Sequence, residues 1–335
     1  MPPYLIAVDL GGTQIRTALC DPQGQILRRI ARPTLAAEGP EAVIGHLEEA
    51  IAAAMTGTPA DQIAGIGIGA PGPLNPVSGI ILEAPNLPGW RNVPLRNIIS
   101  SRFELPTFLG NDANLAALAE YTFGAGRGRA DMIYLTISTG VGSGIIADGK
   151  LLVGAYGLGA EAGHIIVDPG GPQCGCGHFG CLEAFASGTA IARYVQNRIK
   201  AGKKTRITKM IGDDLNKVDA RVVSEAARLG DKLAIQAFQR AGKYLGIGIA
   251  SLLRLFNPTT IVLGGSVTKA GALLLDPMWA AIKEYAPAIY WEGLAIVQAA
   301  LGDDVGLLGA VALAAGQLRI AVAAEPLPAL TPEAS

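Results

Sequence analysis

The sequence predicts an α/β protein built from two related halves, and two observations support this prediction. First, half of the 335 residues are hydrophobic and 44 are glycine, so the chain can bury a large core and form many tight turns. Second, a strand, a turn of glycine and hydroxyl residues, and a returning strand occur near residues 5–19 and again near 132–147. Such turns leave backbone N–H groups free to approach an anion. Each half is therefore expected to open with a hairpin that grips phosphate.

Hydrophobic periodicity and turn residues assign the elements in chain order. The first half is predicted to have strands at 4–8, 14–19, 25–32, 63–69 and 107–109, and helices at 41–55 and 113–121. The second half is predicted to have strands at 131–138, 145–147 and 259–263, one long helix or two in succession over 222–256, and a last helix at 305–320. The tail at 325–335, with its prolines and small residues, is predicted to be disordered.

Composition and charge exclude several function classes. The net charge is −1 and only 16% of residues are charged, so we expect no nucleic-acid partner and no membrane-surface binding. The N-terminus lacks a basic region followed by a sustained apolar run, which argues against a signal peptide. The apolar stretch from Val305 to Gly316 is shorter than the roughly 20 residues that a membrane span needs. A cytoplasmic location is therefore predicted.

Three of the four cysteines lie within eight residues, at Cys174, Cys176 and Cys181, far from Cys20. This grouping fits a metal site in a reducing compartment better than paired disulfides. Three thiolates and one imidazole form a closed tetrahedral zinc site, and closed coordination indicates a structural zinc. We predict His164 as the fourth ligand, because the alternative, His178, would have to fold back sharply. Buried free thiols are the remaining alternative.

Three turns follow predicted strands and are candidates for binding a nucleotide. In the first, residues 9–13 (Asp-Leu-Gly-Gly-Thr), the carboxylate could hold Mg²⁺ through water, and no lysine stands in a P-loop arrangement. The second is Ser-Thr-Gly-Val-Gly-Ser-Gly at 138–144, and the third is Leu-Gly-Gly-Ser at 263–266, where backbone could approach an adenosine. Ordinary β-turns remain the alternative for each one.

Carboxylates at three positions are candidates for contacts with a substrate. Asp112 follows Asn111 at a strand end, where a carboxylate can reach a ligand, although spacing alone favours a helix N-cap for this pair. Glu161 and Glu183 flank the metal-ligand segment, and carboxylates held there would suit vicinal hydroxyl groups. Solvated surface charge is the alternative for both glutamates. No role is predicted for His46.

Taken together, these segments resemble the ROK family (repressors, open reading frames and kinases) of the hexokinase–actin superfamily. The resemblance runs through most of the chain. It is carried by six segments: 9–13, 69–73 (Gly-Ala-Pro-Gly-Pro), 86–90 (Asn-Leu-Pro-Gly-Trp), 110–112 (Gly-Asn-Asp), 138–144, and Glu161-Ala-Gly-His164 with 174–183 (Cys-Gly-Cys-Gly-His-Phe-Gly-Cys-Leu-Glu). The last is the most specific of the six.

The resemblance implies a role for each matching residue. Asp112 would be the general base of a phosphoryl transfer. Sugar contacts would come from Gly72, Asn111, Asp112, Glu161, His164 and Glu183. The nucleotide would be held by Asp9, Gly11, Gly12, Thr13, Thr139, Gly140, Gly264 and Gly265. His164 would bind zinc through one ring nitrogen and a sugar hydroxyl through the other, with Cys174, Cys176 and Cys181 as the other metal ligands.

The resemblance also implies an architecture and a reaction. Two actin/hexokinase-like (ribonuclease H-like) α/β domains would flank a cleft: a smaller one at 1–115, completed by the helix at 305–320, and a larger one at 116–304 with a zinc loop at 164–181. The reaction would be ATP-dependent phosphorylation of a hexose, with Mg²⁺ accompanying ATP, structural zinc, and a homodimer or homotetramer as the assembly. Conversion of glucose to glucose 6-phosphate is the leading interpretation. Kinases for fructose, N-acetylmannosamine or N-acetylglucosamine remain alternatives, as does a sugar-sensing regulator without catalytic activity. The sequence leaves open whether ATP or polyphosphate is the donor. The strand that precedes the first phosphate turn begins at Tyr4, which leaves no room in this sequence for the DNA-binding domain of the family's repressors.

Overall fold

A computed structural model describes residues 3–322 of the chain. The backbone forms two compact units. Of the described residues, the first unit comprises 3–132, 144–160 and 299–322, and the second comprises 133–143 and 161–298. The sequence-based division into a domain at 1–115 and a domain at 116–304 remains a prediction. The tail predicted to be disordered lies outside the described residues.

The first unit is built on a five-stranded sheet with the order β3-β2-β1-β4-β8. Its strands are β1 (Tyr4–Leu10), β2 (Gln14–Cys20), β3 (Ile26–Pro33), β4 (Ile63–Ala70) and β8 (Thr107–Asn111). β1 pairs with β2 antiparallel and with β4 parallel, and β4 pairs with β8 parallel. A small antiparallel sheet holds β5 (Leu74–Asn75), β6 (Ile80–Glu83) and β7 (Arg91–Val93).

Helices cover both faces of the large sheet of the first unit. Successive side chains of β1 point to opposite faces, so they pack in two different cores. Ile6 and Val8 pack in a core that includes α1 (Pro40–Met55) and α2 (Leu95–Phe103). Leu5 and Ala7 pack on the other face with residues of α3 (Asp112–Phe123) and α10 (Val305–Gln317). The last helix is thus part of the core of the first unit, next to β1, β4 and α3.

The second unit contains most of a sheet with the order β11-β10-β9-β12-β13. Its strands are β9 (Met132–Ile137), β10 (Val141–Ala147), β11 (Lys150–Leu151), β12 (Thr260–Gly264) and β13 (Ala295–Gln298). The helices are α4 (Glu183–Ala186), α5 (Gly188–Lys200), α6 (Ile207–Ile211), α7 (Ala220–Arg228), α8 (Lys232–Phe256) and α9 (Ala272–Tyr285). α8 packs along α9.

The long helical segment that sequence left as one helix or two is two helices. Gly230 has φ +81°, a left-handed conformation that suits glycine and ends α7. The Asp231 side chain then caps α8 by accepting a hydrogen bond of 3.0 Å from the Ala234 amide.

The remaining strands and helices predicted from sequence are present with ends shifted by a few residues. The largest shift is in β10, which begins at Val141 and not at 145, so residues 141–144 of the predicted second turn belong to the strand and only 138–140 form the bend.

No helix in the described part of the chain is long and apolar enough to cross a membrane. The segment at 305–316, which sequence assigned to a buried helix, lies within α10, where residues such as Leu307, Ala310 and Val311 are fully buried. Its hydrophobicity therefore serves the core of the first unit.

Candidate functional site

The first phosphate turn joins β1 to β2 in the first unit. The Asp9 carboxylate accepts a hydrogen bond from Arg16, directly opposite on β2. Arg16 also donates to the backbone carbonyl of Asp303 at 2.6 Å. The turn is closed by the Gly11 amide, which donates to the Gln14 carbonyl at 3.0 Å. Asp9 is thus held in place by a cation that sequence analysis did not single out.

Two further predicted nucleotide residues, Gly12 and Thr13, lie in the same turn. A Cβ on Gly12 would come 3.0 Å from the Asn86 side chain, so the turn lies against the Asn-Leu-Pro-Gly-Trp loop. In that loop Leu87 and Trp90 are buried, while Asn86 is exposed. The loop is therefore anchored by its apolar residues and presents its polar one.

Asp112 lies at the first position of α3, directly after β8, and its side chain is exposed. The N-cap is Asn111, whose Oδ1 accepts from the amides of Ala113 at 3.0 Å and Asn114 at 3.2 Å. Asp112 Oδ1 accepts from the Ala113 amide at 2.7 Å. The helix N-terminus stabilises a carboxylate at this position, because its amides and dipole favour negative charge. Asn111 therefore caps the helix while the exposed Asp112 carboxylate can contact a ligand.

Gly72 lies beside Asn111 in the first unit. A Cβ on Gly72 would come 3.0 Å from Asn111 Nδ2. Three of the predicted sugar-contacting residues, Gly72, Asn111 and Asp112, are thus neighbours in this unit.

The second phosphate turn, in the second unit, is bound to the segment predicted to contact sugar. The amide of Val141 donates to Glu183 Oε2 at 2.9 Å. A Cβ on Gly140 would come 2.5 Å from the same oxygen, so a side chain there would displace the Glu183 carboxylate. The Ser143 hydroxyl accepts from the Ala162 amide at 2.9 Å, next to Glu161. The structure therefore connects this turn to both predicted sugar-side glutamates.

Gly163 explains how the Glu161–His164 segment can lie against β10. A Cβ at Gly163 would come 2.0 Å from the carbonyl oxygen of Val141, which no side chain can tolerate. The close approach also sets the position of His164, the next residue. Glycine at this position is thus a geometric requirement of the site.

The four predicted metal ligands come together in the second unit. One ligand atom each from His164, Cys174, Cys176 and Cys181 lies within 4.8 Å of all the others. Cys174 Sγ is 3.8 Å from His164 Nδ1, and Cys176 Sγ is 3.7 Å from Cys181 Sγ. A tetrahedral zinc with Zn–S bonds of about 2.3 Å places its ligand atoms about 3.8 Å apart. The donor set and spacing therefore fit zinc.

The alternative ligand, His178, lies at the edge of this cluster. Its Nδ1 is 3.8 Å from Cys176 Sγ, but the mutually close set contains His164 instead. A hydrogen bond from the His178 backbone amide is the main cause that lowers the pKa of the Cys176 thiol to about 6. Burial raises the pKa of the Cys174 thiol to about 12. This sulfur would therefore lose its proton at neutral pH only when a metal cation coordinates it.

Glu161 and Glu183 have different surroundings. Glu161 keeps solvent access, yet the protein around it desolvates its carboxyl and raises its pKa; nearby His164 opposes this rise and Glu183 adds to it. Glu183 begins α4 and accepts from the Val141 amide, while its Oε1 lies 3.3 Å from Cys174 Sγ. Glu183 thus joins the second phosphate turn to the cysteine cluster.

A cavity of about 490 Å³ in the second unit contains part of the predicted nucleotide site. Its lining includes Thr139 of the second turn and Ser266, which follows Gly264 and Gly265 of the third turn. Gly265, with φ +86°, lies so close to the end of β9 that a Cβ would come 2.3 Å from the Ile137 carbonyl oxygen. The second and third turns therefore meet at one cavity.

Sequence analysis missed the rest of this cavity. It is also lined by the first turns of α5, including Gly188 and Thr189, and by residues 218–221 before and within α7. Thr189 donates to the Thr139 carbonyl at 2.8 Å. Ser187 caps α5, so this helix directs its N-terminal amides toward the same region. The signal available was the Ser-Gly-Thr sequence before a helical pattern, which marks an N-cap.

The two units and their hairpins define the actin/hexokinase-like class of α/β fold, in which the second and third turns line a cavity large enough for a nucleotide. A ROK family hexokinase from Thermus thermophilus superposes with a TM-score of 0.77 at 37% identity, covering 92% of this chain and 97% of the other. A ROK family glucokinase from Streptomyces griseus, in complex with glucose and AMPPNP, superposes with a TM-score of 0.76 at 36% identity, covering 92% and 98%.

Sequence comparison gives the same relationship. A glucokinase from Thermotoga maritima is 38% identical over 309 residues, which is 92% of this chain and 96% of that protein. The ROK family matches residues 5–317. The chain belongs to the ROK family, as its six segments indicated.

Proposed function

We propose that this protein is an ATP-dependent sugar kinase that converts glucose to glucose 6-phosphate. The observation that carries the proposal is the near full-length similarity to glucokinases in a chain that retains an exposed carboxylate, Asp112, at the start of α3. Phosphoryl transfer requires positioning and charge stabilisation more than covalent chemistry, and the residues that would provide both are present.

Asp112 is proposed as the general base for the acceptor hydroxyl. Its exposed carboxylate is directed by a hydrogen bond from the Ala113 amide, and Asn111 caps the helix beside it. A carboxylate at this position can accept the hydroxyl proton as the new bond to phosphorus forms and the bond to the leaving ADP breaks. Such assistance contributes about 10²–10⁴-fold in rate.

The sugar hydroxyls are proposed to bind Glu161, His164, Glu183 and Asn111, with Gly72 offering backbone. Ionised carboxylate oxygens only accept hydrogen bonds, whereas each sugar hydroxyl can donate one. His164 directs Nδ1 toward Cys174 Sγ, which leaves Nε2 as the nitrogen that would meet a hydroxyl.

The nucleotide is proposed to bind through Asp9, Gly11, Gly12 and Thr13 of the first turn and Thr139, Gly140, Gly264 and Gly265 of the second unit. The cavity at Thr139 and Ser266 would hold the part of the nucleotide that contacts the second unit. Mg²⁺ would accompany the phosphates and supply charge stabilisation, and the Asp9 carboxylate would help to hold it through water.

A zinc ion is proposed at His164, Cys174, Cys176 and Cys181. All four coordination positions would be filled by protein, which is the pattern of a structural site. Such an ion would hold Glu183 and His164 in place, because both lie against the cluster. A cytoplasmic location and a dimer or tetramer remain predictions of this proposal, supported by the free cysteines and by family resemblance respectively.

A coupled assay of ADP release over a panel of hexoses tests the proposed reaction. Glucose should give the highest kcat/KM, ahead of fructose, mannose, N-acetylmannosamine and N-acetylglucosamine. Replacing ATP by polyphosphate, with glucose 6-phosphate measured directly, identifies the donor. Equal or better turnover of another hexose would overturn the assignment to glucose.

The same experiment separates the kinase from a non-catalytic sugar sensor. A kinase should form glucose 6-phosphate and ADP at glucose concentrations that saturate the binding measured calorimetrically. Tight glucose binding with no product from any donor would favour the sensor and reject the kinase.

A further inference from the structure

A second cavity in the second unit, away from the residues proposed for catalysis, is lined by three arginines. It has a volume of about 330 Å³ and lies among α4, α5 and α8, where it is lined by Arg193, Arg198, Arg240, Tyr194 and Asn197. Its other lining residues are three alanines and one proline. The cavity wall is therefore cationic, with no acidic residue in it.

The arginines of this cavity form no ion pair in the described part of the chain. Within residues 3–322, none of the three guanidinium groups has a carboxylate oxygen within 4.0 Å. Five other arginines in that range do pair with a carboxylate. Asp168, the acidic residue that acts on Arg240, accepts a hydrogen bond of 2.8 Å from Tyr244. Asp168 therefore acts on Arg240 only through space and forms no ion pair with it.

Aromatic rings hold Arg240 in position. Its guanidinium carbon lies 4.4 Å from the Phe185 ring centroid, 5.1 Å from that of Tyr194 and 5.5 Å from that of Tyr244. Phe185 and Tyr244 stack on each other with centroids 3.7 Å apart. Cation–π contacts use the face of a guanidinium and leave its N–H edge for another partner. Arg240 is half-buried, so water screens its charge less than at an exposed site.

We propose that this cavity binds the phosphate group of a small phosphate monoester. Guanidinium groups present planar pairs of donors that match phosphate oxygens, and three of them can surround a dianion. The volume suits a small metabolite, and Asn197 can hydrogen-bond a hydroxyl of its carbon skeleton. Arg193 also lines the nucleotide cavity, but the other residues of the two cavities differ. The inference does not depend on which reaction the protein catalyses.

Isothermal titration with glycerol 3-phosphate tests the site, using the full chain saturated beforehand with glucose, Mg²⁺ and AMPPNP. Arg198→Gln is the main variant, because Arg198 is exposed and lines this cavity alone. Arg240→Lys keeps the charge and most of the packing but removes the fork of donors. Arg206→Gln, an exposed arginine outside the cavity, is the matched control.

Wild type and the Arg206→Gln control should bind glycerol 3-phosphate with equal affinity. Arg198→Gln should bind it roughly tenfold more weakly, because one charge-assisted hydrogen bond is lost, and the Arg198→Gln/Arg240→Lys double variant should bind it still more weakly. Absence of saturable binding to wild type, or an unchanged affinity in both cavity variants, would overturn the site. Inorganic phosphate should bind more weakly than the ester; equal affinities would overturn the assignment to an ester.

Discussion

The turns at 9–13 and 138–144, which are predicted to bind phosphate, share a sequence pattern but are held by different parts of the molecule. The turn at 9–13 is anchored within its own sheet: Asp9 pairs with Arg16 on the adjacent strand, and Thr13 accepts from the Thr34 amide at 2.9 Å. The turn at 138–144 is anchored by Glu183, which accepts from the Val141 amide and lies beside Cys174. The turn at 9–13 is held by contacts of its own hairpin, whereas the turn at 138–144 is held by Glu183, which follows the cysteine cluster in sequence.

This difference shows that similar turns can depend on different remote residues. A change in the cysteine cluster has a path of contacts to the second turn through Glu183, whereas the contacts of the first turn are with Arg16, Thr34 and the loop at 86–90. Damage to the proposed zinc site should therefore loosen residues 138–144 and leave residues 9–13 ordered. The predictions below test this contrast.

Loss of zinc should have the largest effect. Elemental analysis should find about one zinc per chain, and Cys176→Ser should lose it together with several kcal/mol of unfolding free energy, because structural zinc binding is coupled to folding. Hydrogen–deuterium exchange should rise at 138–144 and 161–185 but not at 9–13.

Cys20→Ala is the control for that experiment. Cys20 is buried in the core of the first unit, away from the cluster, so the variant should keep its zinc and its exchange protection at 138–144. Cys176→Ser protein that lacks zinc yet is as stable as wild type would contradict the coupling.

Gly163→Ala should rank second. The added Cβ would come 2.0 Å from the Val141 carbonyl oxygen, and overpacking of this kind costs about 1–3 kcal/mol. Thermal melting should show the loss, and the KM for glucose should rise. Gly170→Ala is the matched control, because its Cβ would come only within 3.6 Å of an Asp168 oxygen. Equal stability of the two variants would refute the close approach.

Glu183→Gln should affect both substrates. The amide oxygen can still accept from Val141, but a neutral hydrogen bond is about half as strong as a charge-assisted one. We expect a loss of about 1 kcal/mol, or roughly a fivefold rise in the KM for glucose and for ATP. Glu292→Gln, an exposed glutamate elsewhere in the second unit, should leave both values unchanged. A change in one substrate alone would mean that Glu183 does not join the two regions.

Arg16→Gln should have the smallest effect and should be confined to the nucleotide. Removal of the cation beside Asp9 leaves that carboxylate uncompensated, so half-saturating Mg²⁺ should fall by about two- to fivefold, as expected for a partly exposed ion pair. The KM for glucose, measured at saturating MgATP, should not change. A rise in the glucose KM matching that of Glu183→Gln would show that the two turns are not held independently.

The sequence was most informative where chemistry requires particular residue types. Three cysteines and a histidine at close spacing indicated a cluster that the structure does assemble. Glycines next to hydroxyl residues marked the turns, because few other residues permit such backbone approaches. Most strands of the two large sheets were also predicted, as were α1, α3, α7, α8 and α10, since their periodicity is strong. The strands β11 and β13 and the helices α2, α4, α5, α6 and α9 were not predicted.

The sequence was least informative where ordinary residues acquire a role through tertiary contacts. Arg16 resembles any strand arginine until the register of β1 and β2 places it opposite Asp9. Gly188 and Thr189 line the cavity proposed for the nucleotide only because α5 begins beside Thr139. The small sheet β5–β7 was missed because strands of two to four residues carry too little periodicity.

The most direct test of the proposed function is Asp112→Asn, with steady-state turnover and glucose binding measured on the same protein. Asparagine keeps the size and the hydrogen bond at the start of α3 but cannot take a proton, so kcat should fall at least roughly 10²-fold while the dissociation constant for glucose stays within a few-fold. Asp61→Asn, an exposed aspartate distant in sequence, is the matched control and should keep full turnover. Near-normal kcat in Asp112→Asn would contradict the assignment of this carboxylate as the base.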